Sequence, residues 1–200
     1  MTETQRVTPA KRDQAALDFL LSRRSRPAKT LVAPAPDAAQ LHEILQAGAR
    51  TPDHGKLEPW RFIVITQAAA QRLGTEAETR ATAQGLAEDK VAKAGKQFFD
   101  SQLCVAVIFS PKASEKVPEI EQLFSAGAVC LSLLNGALAA GWGANWLSGW
   151  AAHDVAFGQD LLGLAPGEIV AGFMHLGTES VTPADRPRPD LEGITSWISQ

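Results

Sequence analysis

Two hundred residues with a formal charge of −3, 45% hydrophobic and 20% charged side chains are enough for one compact domain with a real core and too few for two ordinary ones. The balance is that of a folded chain and excludes wholesale disorder. The basic residues are dispersed, which speaks against nucleic acid as a partner, because backbone-phosphate binding needs a concentrated basic face. One phosphate on one small ligand stays compatible with this charge.

Residues 1–12 are expected to form a disordered polar tail, and they lack the apolar stretch of a secretory signal. A single domain is expected over 13–200. Asp13 can cap a helix to about Ser22, with Ala16, Leu17, Leu20 and Leu21 on one side. Residues 23–36 hold three prolines and read as an irregular loop. Asp37 starts a second helix, with Leu41, Ile44 and Leu45 at core spacing and Gly48 near its end. A turn-rich loop at 51–59 leads into a strand at 61–66. Residues 67–97, rich in Ala, Glu and Lys, have a weak apolar stripe and predict a surface helix pair or lid.

A second strand is predicted over 103–110 and is followed by Pro111. Pro118 suits the first position of a long helix reaching about Ala140. Residues 141–143 turn into a short strand at 144–148, Asp154 begins a short helix ending near Leu162, and 168–176 form the last strand. Residues 181–190 are a proline-rich extended tail. There is no internal repeat. Helices separate most of the strands, so the class is α/β or α+β, a central sheet covered by helices.

Residues 126–150 carry no charge and are long enough to span a bilayer. Gly127, Asn135, Gly136, Gly141, Gly143, Asn145 and Gly149 interrupt the run, so a buried helix, a turn and a strand fit better than a membrane segment. Cys104 and Cys130, both in apolar runs, fit a reducing compartment. A cytoplasmic protein with no membrane partner is expected.

Three stretches could carry chemistry. Arg23-Arg24-Ser25, with Arg26 and Lys29 close behind, offers two rigid donor forks and a hydroxyl for a phosphate; taken alone, it reads more readily as a basic helix C-terminus. Residues 50–62 set Arg50, an Asp53-His54 pair, two prolines and Trp60 in a stiff loop feeding a strand, where ligands often sit. The competing reading makes Asp53-His54 an Asx turn and Trp60 a core anchor. Residues 136–149 place small residues at a helix end, where a flat ring could approach backbone donors. Trp142, Trp146 and Trp150 recur every four residues, but the glycines between them disfavour one helical face. The four histidines, His42, His54, His153 and His175, are scattered, with no metal motif, no nucleophile elbow and no phosphate-binding lysine loop. Glu119 and Glu121 read as a solvated helix face.

Taken in order, these stretches and the closing Gly172-Phe-Met-His-Leu-Gly-Thr178 resemble the nitroreductase family, and within it the short bacterial branch whose loop carries Pro-Asp-His. The similarity spans about residues 16–195. The resemblance implies an α+β fold with a mostly antiparallel central sheet, built as an intertwined homodimer with FMN at the subunit interface. It implies that Arg23, Arg24 and Ser25 grip the phosphate and ribityl end while Arg50 and His54 reach in from the other subunit. Trp146, Leu147 and Ser148 would line the flavin, and the segment with Gly136 and Gly141 would lie near the nicotinamide nucleotide. Many relatives carry a basic residue where Leu147 stands, and a leucine offers only its backbone for polar contact. Arg186 and Arg188 could add a second phosphate contact. The implied activity is ping-pong: NADH or NADPH reduces the flavin and leaves, and a nitroaromatic or related small acceptor takes its place. The flavin does the redox chemistry, so no catalytic side chain and no metal are assigned. Other readings are a flavin-binding module for storage or sensing, a reductase of quinones or enones, and a non-flavin sugar-phosphate binder.

Overall fold

The computed structural model describes residues 9–199. Residues 1–8 of the expected N-terminal tail lie outside it, and 9–12 are exposed coil. The helices are α1 (Gln14–Ser22), α2 (Ala38–Gly48), α3 (Gln67–Ala83), α4 (Glu88–Phe99), α5 (Glu119–Ala139), α6 (Val155–Leu162) and α7 (Leu191–Ile194), and the strands are β1 (Leu31–Val32), β2 (Trp60–Thr66), β3 (Leu103–Phe109), β4 (Gly143–Leu147) and β5 (Ile169–Glu179).

Local chemistry starts the helices where the sequence says. Asp13, Asp37 and Asp154 each accept a backbone N–H from the first turn, and Asp37 with Gln40 forms a reciprocal capping box. Pro118 is the residue before α5, one position earlier than expected, with its φ of −57° leading into the first turn.

All pairings in the sheet are antiparallel, which makes the class α+β. β3 lies between β2 and β5. β5 pairs β3 along one edge and β4 along the other, because Phe173, Met174, His175 and Leu176 are matched on both sides. Its last residues pair β1, with Leu31 opposite Glu179. Strand β1 lies in the stretch expected to be an irregular loop. At two residues it is too short to show an alternating pattern.

Every residue of β3 is buried, so its side chains serve two cores by turns. Leu103, Val105 and Val107 join Met174, Leu176 and the helices α2 and α5, while Cys104, Ala106 and Ile108 join Phe173, Phe98, Phe157 and the helices α3, α4 and α6. The pair α3–α4, expected as a surface helix pair or lid, is therefore a surface helical layer whose inner face closes one core. Its buried face is Ala70, Leu73, Gly74, Ala77 and Ala81 on α3 and Ala94, Gly95 and Phe98 on α4. Small residues give a weak hydropathy signal but allow close helix contact. The 21-residue α5 is apolar enough to pass for a membrane span, yet its buried face packs on α2, β3, β4 and β5. Trp60 is half-buried against that core and donates to Ser125 Oγ at 3.3 Å.

His175, 1% exposed on β5, has Nδ1 2.9 Å from Ser101 Oγ, while its Nε2 has no partner. Burial pushes its pKa down to about 4. The fold keeps the ring neutral while an unfolded chain would protonate it near 6.5, so its stabilising effect is complete above about pH 6.5 and drains away as pH falls towards 4. The loss is at most ~3 kcal/mol. Glu168, held near 2 chiefly by its hydrogen bond from Arg61, acts only at lower pH. Thermal melts should show Tm falling between pH 6.5 and 4.5, and His175→Gln should flatten that slope. Equal slopes in the two proteins would contradict the assignment.

Candidate functional site

The chain leaving α1 is fastened alongside β4. Arg26 N–H donates to the Ala144 carbonyl at 2.8 Å, and Asn145 Nδ2 donates to the Arg26 carbonyl at 2.7 Å. This clamp sets Arg23, Arg24 and Ser25 beside Asn145, Trp146 and Leu147. The C-terminal tail returns Arg186 and Arg188 to the same place, around a cavity of about 490 Å³. The first and third sequence stretches thus meet, as does the tail's basic pair.

The electrostatics of this cavity are lopsided. Arg26 Nε lies 2.8 Å from Glu179 Oε2, although not in line for a directed hydrogen bond, and Arg188 pairs with Asp185 at 2.8 Å. Arg23 reaches only Ser25 Oγ, at 3.3 Å. Arg23 Nε and Arg24 Nη1 are buried with no hydrogen-bond partner. Burial, and then the positive charges of Arg188 and Arg26, push the Arg23 guanidinium below its usual pKa. Buried donors without acceptors are costly. A phosphate group would supply both the acceptors and the missing negative charge, so the residues present fit one.

Trp146 lies over β5 at the cavity wall, donating Nε1–H to the Ala171 carbonyl at 3.3 Å. The ring fits because position 172 is glycine; a Cβ there would run into the indole. Sequence reasoning did not single out Gly172 as a site residue, and its signal is a glycine inside a strand, which marks close approach. Beyond Leu147, the Ser148 carbonyl accepts from Gln97 Nε2 of α4 at 3.3 Å. Gly149 then turns the chain at φ +66°, in the region that favours glycine. This contact ties α4 to the end of β4, and a second cavity of about 640 Å³ opens between them. Leu147 lines both cavities.

The remaining expected residues sit elsewhere in the chain. Arg50 is exposed just past α2, and His54 Nδ1 contacts Glu121 Oε2 at 2.7 Å on the first turn of α5. The Asp53 carboxylate accepts the Glu58 N–H, and Lys56 and Glu58 hold positive φ, so the loop is tightly constrained. Neither Arg50 nor His54 lines either cavity. Gly136 faces α2, where a Cβ would meet Ala47 at 3.1 Å, and Gly141 turns α5 into β4 at φ +85°. Trp142, Trp146 and Trp150 lie on a turn, a strand and a short 3₁₀ helix, so their spacing is no helical face. Among the described residues no His, Cys, Asp or Glu group could hold a metal ion.

The fold is thus an antiparallel sheet between two helical layers, with an arginine-lined cavity at its β4 edge. Residues 20–178 match the model of the nitroreductase family, and the chain belongs to that family. It is 36% identical over 163 residues to the Escherichia coli (strain K12) "Putative NAD(P)H nitroreductase YdjA", covering 82% of this chain and 87% of that one. A similarly named Haemophilus influenzae protein is 34% identical over 165 residues, 82% of this chain and 88% of its own. The fold matches a nitroreductase-like family protein from Bacillus cereus with a TM-score of 0.77 at 20% identity, over 95% of this chain and 99% of that chain. It also matches a Bacteroides fragilis nitroreductase with bound FMN, with a TM-score of 0.70 at 19% identity, over 94% and 100%.

The unbalanced arginines give a direct expectation. Inorganic phosphate at ten times its dissociation constant should stabilise the protein by ~1.4 kcal/mol, raising Tm by roughly 3–6 °C. Arg23→Gln/Arg24→Gln should abolish the rise in calorimetric scans, and an undiminished rise would refute the cradle.

Proposed function

We propose that this chain is an FMN-dependent NAD(P)H oxidoreductase that works as a homodimer and reduces nitroaromatic or related small acceptors by ping-pong exchange. The observation that carries this reading is the pair of buried, unpartnered guanidinium donors on Arg23 and Arg24, in a cavity that shares Leu147 with a larger, apolar one. In the proposed arrangement Arg23, Arg24 and Ser25 hold the FMN phosphate, with Arg186 and Arg188 as further cations. Trp146, Leu147 and Ser148 line the ribityl chain and ring. Leu147 gives apolar contact and its backbone. Bound FMN supplies the two-electron chemistry.

The chain's own part is to bind, orient and exclude water. The cavity behind Leu147, walled by Trp150 and Leu86, is the place where donor and acceptor alternate, a role better suited to it than to the segment with Gly136 and Gly141. For a nitro acceptor the overall exchange is ArNO₂ + NAD(P)H + H⁺ → ArNO + NAD(P)⁺ + H₂O. No protein acid or base is assigned a step.

A dimer is supported by what one chain leaves uncovered. On α5, Ile120, Phe124 and Leu131 are 52%, 67% and 45% exposed, and α1 buries none of its residues although it carries Leu17, Leu20 and Leu21. Exposed apolar surface of this kind marks association. Arg50 and His54 then serve the flavin of the partner subunit. Residues 13–200 act as one flavin-binding domain, and the cytoplasm is the fitting compartment for the free, buried thiols of Cys104 and Cys130.

The purified protein should be yellow, and anaerobic NADH or NADPH should bleach it within the time of turnover. A yellow protein that neither nucleotide bleaches would instead be a flavin store or sensor. Arg23→Ala and Arg24→Ala should each weaken FMN binding about tenfold or more, since charged hydrogen bonds carry roughly 1.5–3 kcal/mol. FMN titrations giving wild-type affinity in both variants would overturn the phosphate assignment.

A further inference from the structure

The larger cavity has a charge pattern that flavin binding does not use. Its floor is apolar, with Leu147 and Trp150 on the β4 side and Leu86 and Ala94 on the α4 side, whereas its rim carries Lys29, Lys90, Lys93 and Lys96. Lys90, Lys93 and Lys96 recur every three residues along one side of α4, as a rim on a helix requires. Two of the lysines are matched within the helix: Lys93 pairs with Asp89 at 2.9 Å and Lys96 with Asp100 at 2.8 Å. Lys29 and Lys90 make no ion pair among the described residues. Four lysines against two aspartates leave two positive charges over an apolar floor.

A helix face of lysines is most often only solvated. Here it is different in one respect: the lysines border a cavity of about 640 Å³, a volume typical of small-molecule sites. We propose that the acceptor this enzyme favours is an anionic one, a planar aromatic ring bearing a carboxylate. The ring lies against Leu147 and Trp150, and the carboxylate points to Lys29 and Lys90. This rests on the assignment of the cavity to donor and acceptor.

The geometry explains why the anion belongs to the acceptor. Leu147 borders both cavities, so a ring on Leu147 adjoins the proposed flavin site while Lys29 and Lys90 border the same larger cavity. A compact ring with one charged substituent can meet both kinds of wall. Lysine ammonium groups on flexible stems suit a single carboxylate, for which no bidentate fork is needed.

The test uses isosteres that cannot be reduced. Calorimetric titration of the purified protein with 4-methylbenzoate and 4-methylbenzamide should show the carboxylate binding about fivefold or more tightly, as expected for two partly exposed charges. That advantage should shrink in 0.5 M salt, where the screening length is only a few ångströms. Lys29→Gln/Lys90→Gln should equalise the two ligands, and Lys90→Glu should reverse the preference. In turnover, the kcat/KM ratio of 4-nitrobenzoate to 4-nitrobenzyl alcohol should fall in step. If the lysine variants leave both ratios unchanged, or if they raise KM for NADPH alone, the proposal is wrong and in the second case the rim serves the donor's phosphate. A protein that takes up no FMN defeats the flavin reading, whereas an FMN-loaded protein that binds the two isosteres equally defeats only this one.

Discussion

The site depends on one strand being paired along both edges. β5 offers eleven residues, and a strand in mid-sheet must satisfy its N–H and C=O groups on both sides. β3 takes one edge and fixes the register of the sheet; β4 takes the other and is held to that register. A slip of one residue would exchange the two cores, because side chains alternate. The position of β4 is therefore set by packing that has nothing to do with a ligand. The site residues inherit it: the arginine segment is fastened to Ala144 and Asn145, and Trp146 is seated over Gly172.

On that rigid edge sits a group that is not satisfied within the chain. The arginines around the smaller cavity outnumber their carboxylate partners, and three buried guanidinium nitrogens, on Arg23, Arg24 and Arg26, find no hydrogen-bond acceptor. A fold tolerates such an arrangement when a ligand completes it, and the cost then becomes binding energy. Unpartnered buried donors of like charge gather at this edge, whereas two other buried polar atoms without partners, His175 Nε2 and Asn135 Oδ1, are single and uncharged; broken local rules of this kind are expected at functional sites.

Much of this was legible in the sequence. The aspartate caps announced three helices, and β3 showed as an unbroken apolar run because both of its faces are buried. The Arg-Arg-Ser cluster carried a chemical meaning, but composition could not tell a phosphate grip from a basic helix end. The clamp to β4 and the unpartnered guanidinium nitrogens, which bear on that choice, arise only in the folded chain. Three features were hidden for physical reasons. The α3–α4 layer packs through alanine and glycine, whose hydropathy is too weak to reveal a core face. Strand β1 is two residues long. The α4 lysines have the spacing of any solvated helix, and it takes the tertiary contact through Gln97 and Ser148 to make them the rim of a cavity.

Within one chain the two groups of proposed flavin contacts do not share a cavity. His54 contacts Glu121 on the first turn of α5, and Thr51, next to Arg50, donates to Ser132 Oγ further along that helix, while the arginine-lined cavity lies beside β4, the strand that follows α5, and is lined by neither Arg50 nor His54. In a shared-pocket dimer the partner subunit brings the two groups to one flavin. A heterodimer of an Arg23→Ala/Arg24→Ala chain with an Arg50→Ala/His54→Ala chain would then hold one doubly damaged pocket and one intact pocket. FMN titration of that isolated heterodimer should find close to one tight site per dimer, with little binding by either mutant homodimer. A heterodimer with no tight site would show that both clusters serve the flavin from the same chain, and would contradict the shared pocket.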